Sequence, residues 1–393
     1  MANAGELKRR VNEKIDGIRD ELVAISLQIH GDPETAFEEE RAAELLSSYL
    51  ERGGFALERG ICQIPTAFRA SYGKGRPRVA FLSEYDALPG LGHGCGHNII
   101  GTASAAAGLA TKTVLEATGG SVTVIGTPAE EEAGGKAYMV ARGAFDDLDC
   151  AMLAHPGNRD VAVTYALACI ELLVAYHGRA SHAAARPEAG LNALDAMLSA
   201  FTSLGLLRQQ LRSSARVHGI ITDGGKAVNV IPDYTSASLL LRAEEDDYLE
   251  EVRERVLACF RSGAEASGCR LEFRWGEKGR YRVMRTNPSL AEAYARNAKA
   301  LGREIEEGNP RRPMGSTDMG NVSAIVPAIH PTIAIAPQDI AIHTEEFREM
   351  AAADSGHQGL IDSAKALAMT AIDVLVDENL RQRMAEEFRQ ADG

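Results

Sequence analysis

Residues Phe81–Gly101, FLSEYDALPGLGHGCGHNIIG, decide how the rest of the chain is read. The stretch opens on an apolar β-type run, Val79–Ala80–Phe81–Leu82, and then presents Glu84 and Asp86. It turns on Pro89–Gly90 and delivers His93, Cys95 and His97 within five residues, ahead of an Ala-rich helical segment from Ile99 to Ala110. A strand that hands a thiolate and imidazoles to a helix N-terminus holds them rigidly. Glycines at 92, 94 and 96 let the backbone wrap closely around an ion. The stretch therefore predicts a metal site.

Other segments complete it. Ser121–Gly126 (SVTVIG) reads as a β-branched strand running into TPAEEEAGG, and Cys150–Ala154 as another that ends on His155–Pro156. Upstream, Leu7, Val11, Ile15, Ile18, Leu22, Ile25 and Ile29 recur at helical spacing and predict one long helix. A second helix is expected over Phe37–Arg52, and short strands near Ile61–Ile64 and Phe68–Tyr72. Apolar strands alternating with helices, with polar residues at the strand exits, indicate an α/β sheet whose functional groups gather where the strands end. After about Ala168 the pattern becomes β-α-β-β-α-β: strands at Cys169–His177, Arg216–Thr222, Thr235–Arg242 and Arg270–Trp275, with helices over Leu191–Leu211 and Glu245–Ala266. That order predicts a ferredoxin-like insert. The expected architecture is an α/β catalytic domain built from 1–168 and 283–393, interrupted by an α+β domain over 169–282. A terminal helix is expected over Asp354–Val376.

Composition sets the class. At 393 residues the chain has room for two domains, and an apolar fraction of 45% supplies their cores. A net charge of −13 argues against a nucleic-acid partner. No run approaches the ~20 apolar residues of a membrane span, so no membrane association is expected. The six cysteines, 62, 95, 150, 169, 259 and 269, are scattered, which is reduced, cytoplasmic usage.

The chemistry-bearing set is Cys95, His97, Glu131, His155 and His343, each at a strand exit or glycine-rich turn. Thiolate, imidazole and carboxylate suit zinc, with Mn, Co or Ni as open alternatives. Five ligands exceed the need of one tetrahedral catalytic ion and suggest two adjacent ions, although one remains open. In Glu130–Glu131–Glu132, neighbouring carboxylates offer a division of labour: one binds metal and the next acts as general base. The register of that run stays open by one residue, and His330 competes with His343 for the last ligand position.

SEYDALPGLGHGCGHNIIG, GTPAEE, AHP, GRASHAA, GG-x-AVNVIPD and HTEEF occur in that order between about residues 81 and 347. Together they resemble the amidohydrolase branch of the aminoacylase/carboxypeptidase-G superfamily of zinc-type metallopeptidases. That branch includes hippurate and auxin-conjugate hydrolases, p-aminobenzoyl-glutamate hydrolase and a β-alanyl-lysine-type dipeptidase. The resemblance implies metal ligands at Cys95, His97, Glu131, His155 and His343, and a general base at Glu130. It implies that Asp86 orients a ligand and that His182 reaches a neighbouring subunit's site to stabilise an oxyanion. Asn229 falls on a lid residue near the substrate. Arg242 and the Gly315–Ser316–Thr317 turn fall on groups that hold its carboxylate. The inserted domain would serve as dimerisation domain and lid, making a homodimer. One departure is Asn98, where the common pattern has Asp, so a carboxylate behind the ligands is lost or moved.

The expected function is amide hydrolysis of small N-acyl or N-aminoacyl amino acids by a metal-activated water. Hydrolytic deamination of a small or aromatic amine would use the same residues, and a non-catalytic ligand-binding relative would keep the same fold. A hydrolase with Cys95 as nucleophile is a further alternative, but it leaves Glu131, His155 and His343 unexplained.

Overall fold

In the computed structural model the described residues are 3–309 and 315–391, apart from the side chains of 277 and 278. In chain order the strands are β1 (Ala56–Arg59), β2 (Phe68–Lys74), β3 (Arg78–Ser83), β4 (Gly120–Gly126), β5 (Cys150–Met152) and β6 (His155–Gly157). They continue with β7 (Ala168–His177), β8 (Arg216–Asp223), β9 (Tyr234–Ala243), β10 (Arg270–Tyr281), β11 (Ala328–Ile329) and β12 (Thr332–Ala334). The chain divides into two compact units, Met1–Tyr165 with Met284–Gly393, and Ala166–Val283.

The first unit is built on a six-stranded sheet in the order β1-β2-β4-β3-β5-β11. From β4 to β11 all pairings are parallel, while β1 and β2 add antiparallel at one edge. Every residue of β4 is buried, the pattern of a parallel strand covered on both faces. Helix His97–Lys112 is buried along nearly its whole length, packing on β3, on β4 and on helix Asp354–Val376. Its small residues make that close approach possible: a Cβ at Gly108 would lie 2.4 Å from Cγ2 of Val124 on β4. The Ala-rich composition is thus a packing requirement, not merely helix propensity.

The second unit carries a four-stranded antiparallel sheet, β10-β7-β9-β8. With helices Ala193–Arg208 and Asp246–Ser267 it forms the β-α-β-β-α-β, ferredoxin-like arrangement expected. Buried residues alternate along β7 and β9, so one sheet face packs on helices and the other does not.

Several local expectations need correction. The single helix over Leu7–Ile29 is two, Ala4–Asp16 and Arg19–Gly31, broken at Gly17–Ile18. Phe37 has φ +63° and stands outside the next helix, which begins at Glu40. Ile61–Gln63 is a 3-10 turn with Cys62 and Gln63 at positive φ, not a strand. His155 does not end β5. It opens β6, which pairs in parallel with β12. A further helix, Glu378–Gln390, follows the expected terminal one. Among the described residues no helix is long and apolar enough to cross a membrane.

Candidate metal centre

Parallel pairing of β3, β4 and β5 brings their C-terminal ends to one edge of the sheet. Glu84 and Asp86 follow β3, Thr127 to Glu131 follow β4, and His155 lies three residues past β5. Gly96, at φ +78°, stands between Cys95 and the helix that begins at His97. A Cβ there would sit 2.9 Å from Pro156, so both conformation and space require glycine. Two non-glycine residues at positive φ adjoin or join the cluster, Ala129 at +62° and His343 at +66°. Each is held: Ala129 donates its N–H to Glu39 Oε1 at 2.8 Å, and His343 donates its N–H to Gly94 O at 2.9 Å. Strain of this kind persists only where surrounding contacts over-determine it.

The side chains converge. Cys95 Sγ lies 3.3 Å from Nε2 of His155 and 3.3 Å from Nε2 of His343. Glu131 Oε1 lies 3.7 Å from Nε2 of His97 and 3.5 Å from Nε2 of His343. Three overlapping groups have donor atoms within 4.8 Å of one another: Cys95–His97–His155, Cys95–Glu131–His343 and His97–Glu130–Glu131. Glu132 and His330 belong to none of them.

The donors fit a metal. His97 Nδ1 is hydrogen-bonded to Asp86 Oδ1 at 2.9 Å, and His155 Nδ1 to Pro156 O at 2.6 Å. In both rings the second nitrogen is therefore free to ligate, the usual arrangement behind a metal-bound histidine. His97 Nε2 and Glu131 Oε1 are buried without a hydrogen-bond partner, and a cation would satisfy both. Burial pushes Glu130 well above the usual carboxylate range, with the charges of Glu131, Asp318 and Glu84 adding to it. Glu131 moves the other way: against the penalty of burial, the close approach of the His343 imidazole and the charge of His97 hold it low. Two adjacent carboxylates pushed in opposite directions is how one fold provides both an acid–base group and an anionic ligand.

The other expected site residues are dispersed. Asp86 is buried and bonded to the cluster, its Oδ2 accepting the N–H of Glu131 at 2.9 Å. Ser316 and Thr317 line a cavity of about 550 Å³ together with Cys95, Glu130, Glu131, His155 and His343; Gly315 does not. His182, Asn229 and Arg242 belong to the second unit. There the loops of His182 and Asn229 meet, Ala183 N–H donating to Asn229 O at 3.0 Å. Arg242 lies on β9, its Nε buried without a partner. Asn98 points away from the ligands, its Nδ2 donating to Ser26 Oγ and Ala351 O. His93 is buried beside His30, at 6.1 Å between ring centroids, and is not on the cavity wall. Sequence reasoning assigned no role to Glu39, Glu84, Lys136 or Asp318, all of them buried around the cluster.

The sequence pattern described as Peptidase family M20/M25/M40 matches residues 80–363. The chain belongs to this family. It is 41% identical to the Xaa-Arg dipeptidase of Mus musculus, over 98% of this chain and 92% of that one. It is 31% identical to a chain of the p-aminobenzoyl-glutamate hydrolase of Escherichia coli (strain K12), over 98% and 95% of the two chains. Among solved structures, a dinuclear metal-binding peptidase of the M20 family from Bacillus subtilis superposes with a TM-score of 0.69. It is 18% identical and covers 92% of this chain and 99% of that one. This M20 chain is a metal-dependent hydrolase of amide C–N bonds. The cavity beside the M20 cluster also carries Glu306 and Glu307, the former paired with Arg159 at 2.8 Å.

Proposed function

We propose that the protein is a homodimeric, cytoplasmic dipeptidase with Cys95, His97, Glu131, His155 and His343 holding two divalent transition-metal ions. The observation that carries the reading is the convergence of the three donor groups, which share Cys95, His97 and Glu131 pairwise, with Glu130 entering only one of them. Zinc suits the thiolate and imidazoles, and Mn, Co or Ni are the alternatives the metal assay separates. Bound ions supply Lewis-acid activation of a water and of the amide carbonyl.

Within this reading the chain's own groups divide the remaining work. Glu130, half-buried on the cavity wall, accepts the proton of the attacking water and delivers it to the leaving nitrogen. His182 Nδ1 accepts the N–H groups of Ala184 and Ala185, at 3.2 Å each, which leaves Nε2–H as a donor. That tautomer suits donation to the carbonyl oxygen as charge develops there, from a second subunit. Asn229 contacts the substrate from the lid, while Arg242 takes its carboxylate together with Ser316 and Thr317 of the Gly315–Thr317 turn. Exposed Ile220 on the edge strand β8, together with Leu198 and Leu206 on helix Ala193–Arg208, supports docking of a second copy. Six free cysteines accord with a reducing compartment.

The relatives named for Xaa-Arg dipeptides are more similar to this chain than the one named for p-aminobenzoyl-glutamate. Independently, Glu307 on the cavity wall favours a cationic dipeptide, Glu306 beside it being already paired with Arg159. The test is a panel of Xaa-Arg and β-alanyl dipeptides, N-acetyl amino acids and p-aminobenzoyl-glutamate, assayed with metal content. Hydrolysis of the basic dipeptides above the rest is expected. Cleavage of p-aminobenzoyl-glutamate alone would contradict the substrate proposal.

A further inference from the structure

Behind the metal ligands lies a charged group with no part in the mechanism above. Lys136, Glu84 and Asp318 are all at 0% exposure. Lys136 Nζ donates to Asp318 Oδ1 at 2.7 Å and lies 2.7 Å from Glu84 Oε1, while its backbone N–H donates to Asp318 Oδ2 at 2.8 Å. Buried ion groups are weak sources of stability, because desolvation offsets most of the attraction and apolar residues of similar volume often serve as well. What the group does set is position.

Lys136 immediately follows the loop that bears Glu130 and Glu131. That loop is closed at its neck: Gly135 N–H donates to Ala129 O at 3.1 Å, and a Cβ on Gly135 would lie 1.9 Å from Pro128 O. Three contacts tie it down. Ala129 N–H donates to Glu39 at the entry, Glu131 N–H to Asp86 in the middle, and Lys136 holds Asp318 at the exit. Asp318 in turn follows Ser316 and Thr317, which share the cavity wall with Glu130. Helix Gly135–Ala141 packs on helix Met319–Ser323 behind the same junction. Glu130 itself sits between the Ala129 and Glu131 anchors, so loosening the exit acts on its reach chiefly by shifting the Ser316–Thr317 wall of the cavity it shares.

We infer that Lys136 and Asp318 form a positioning clamp that fixes the Glu130 loop against the Ser316–Thr317 wall, setting the reach from base to bound substrate. The inference rests on the reading of Glu130 as the base. Neither Lys136 nor Asp318 exchanges a proton with the substrate in this account. A misplacement on the order of 1 Å at a reacting group is enough to cost ~100-fold in rate, so the clamp is a kinetic device.

The experiment compares Lys136→Met and the milder Asp318→Asn with wild type, and repeats Asp318→Asn in a Glu130→Gln background. Readouts are kcat, KM, metal per chain and Tm. Asp318→Asn is expected to lower kcat roughly tenfold or more with KM changed less than about threefold, metal content unchanged, and no further loss in the Glu130→Gln background. Lys136→Met is expected to lose more. If it does not fold, Asp318→Asn decides alone. Undiminished kcat in Asp318→Asn, or an equal loss when Glu130 is already Gln, overturns the clamp. Undiminished kcat in Glu130→Gln overturns the reading of the base instead, so the two failures are told apart.

Discussion

Asp86 and His97 are joined by a 2.9 Å hydrogen bond from imidazole Nδ1 to carboxylate Oδ1, and the other oxygen of Asp86 takes the N–H of Glu131. One buried carboxylate thus orients two proposed ligands from different strand exits. In Asp86→Asn the amide can satisfy only one of these contacts, since its NH2 would face a donor. We expect metal affinity to fall about 10- to 100-fold, measured by chelator competition, with kcat per loaded site less affected. Affinity within about twofold of wild type would show that His97 and Glu131 are held without it.

Glu39 gives a pH-dependent prediction. It is buried, its Oε1 accepts the Ala129 N–H, and burial followed by the charge of Asp86 raises it from 4.5 to about 7. A carboxyl raised in the folded state keeps its proton there while the unfolded chain has lost it. Its contribution to stability therefore declines as pH rises from about 4.5 to 7, and the full cost is present above that. The shift corresponds to about 3 kcal/mol at most. Glu39→Gln keeps the acceptor and removes the titration. Its denaturation midpoint should exceed that of wild type at pH 8 and converge with it near pH 5. Parallel curves across that range would contradict the assignment.

The separation of Glu130 and His182 between the two units gives a test that needs no structure of the dimer. If His182 acts on a partner's site, mixing inactive His182→Ala and Glu130→Ala chains creates heterodimers with one intact site. After subunit exchange about a quarter of wild-type activity should return. No recovery, with exchange verified, would place both residues in one subunit's site, and activity in His182→Ala alone would remove His182 from the chemistry.

Much of this was legible in the sequence because it was local. SVTVIG gave β4 to within one residue, and the terminal helix expected over Asp354–Val376 has those bounds. The Cys95–His97 stretch advertised itself by glycine spacing. Errors came where tertiary geometry overrode pattern. Gly17–Ile18 broke a helix whose apolar spacing runs on without interruption. Ile61–Gln63 has strand-like composition but turns at positive φ. Helix Glu378–Gln390 buries only Leu380 and Met384, too few for an apolar stripe. Lys136 and Asp318 were invisible for a different reason: they meet across 182 residues, and a lone Lys or Asp reads as a solvated side chain until its burial is seen.

The central claim, that Glu130 moves the proton while its neighbour Glu131 holds metal, is tested most directly by Glu130→Ala. Metal per chain and amide hydrolysis would be measured on the same preparation. The account predicts wild-type metal content with hydrolysis reduced at least about 100-fold. Loss of metal in proportion to activity would contradict it, placing Glu130 among the ligands and shifting the base to another residue.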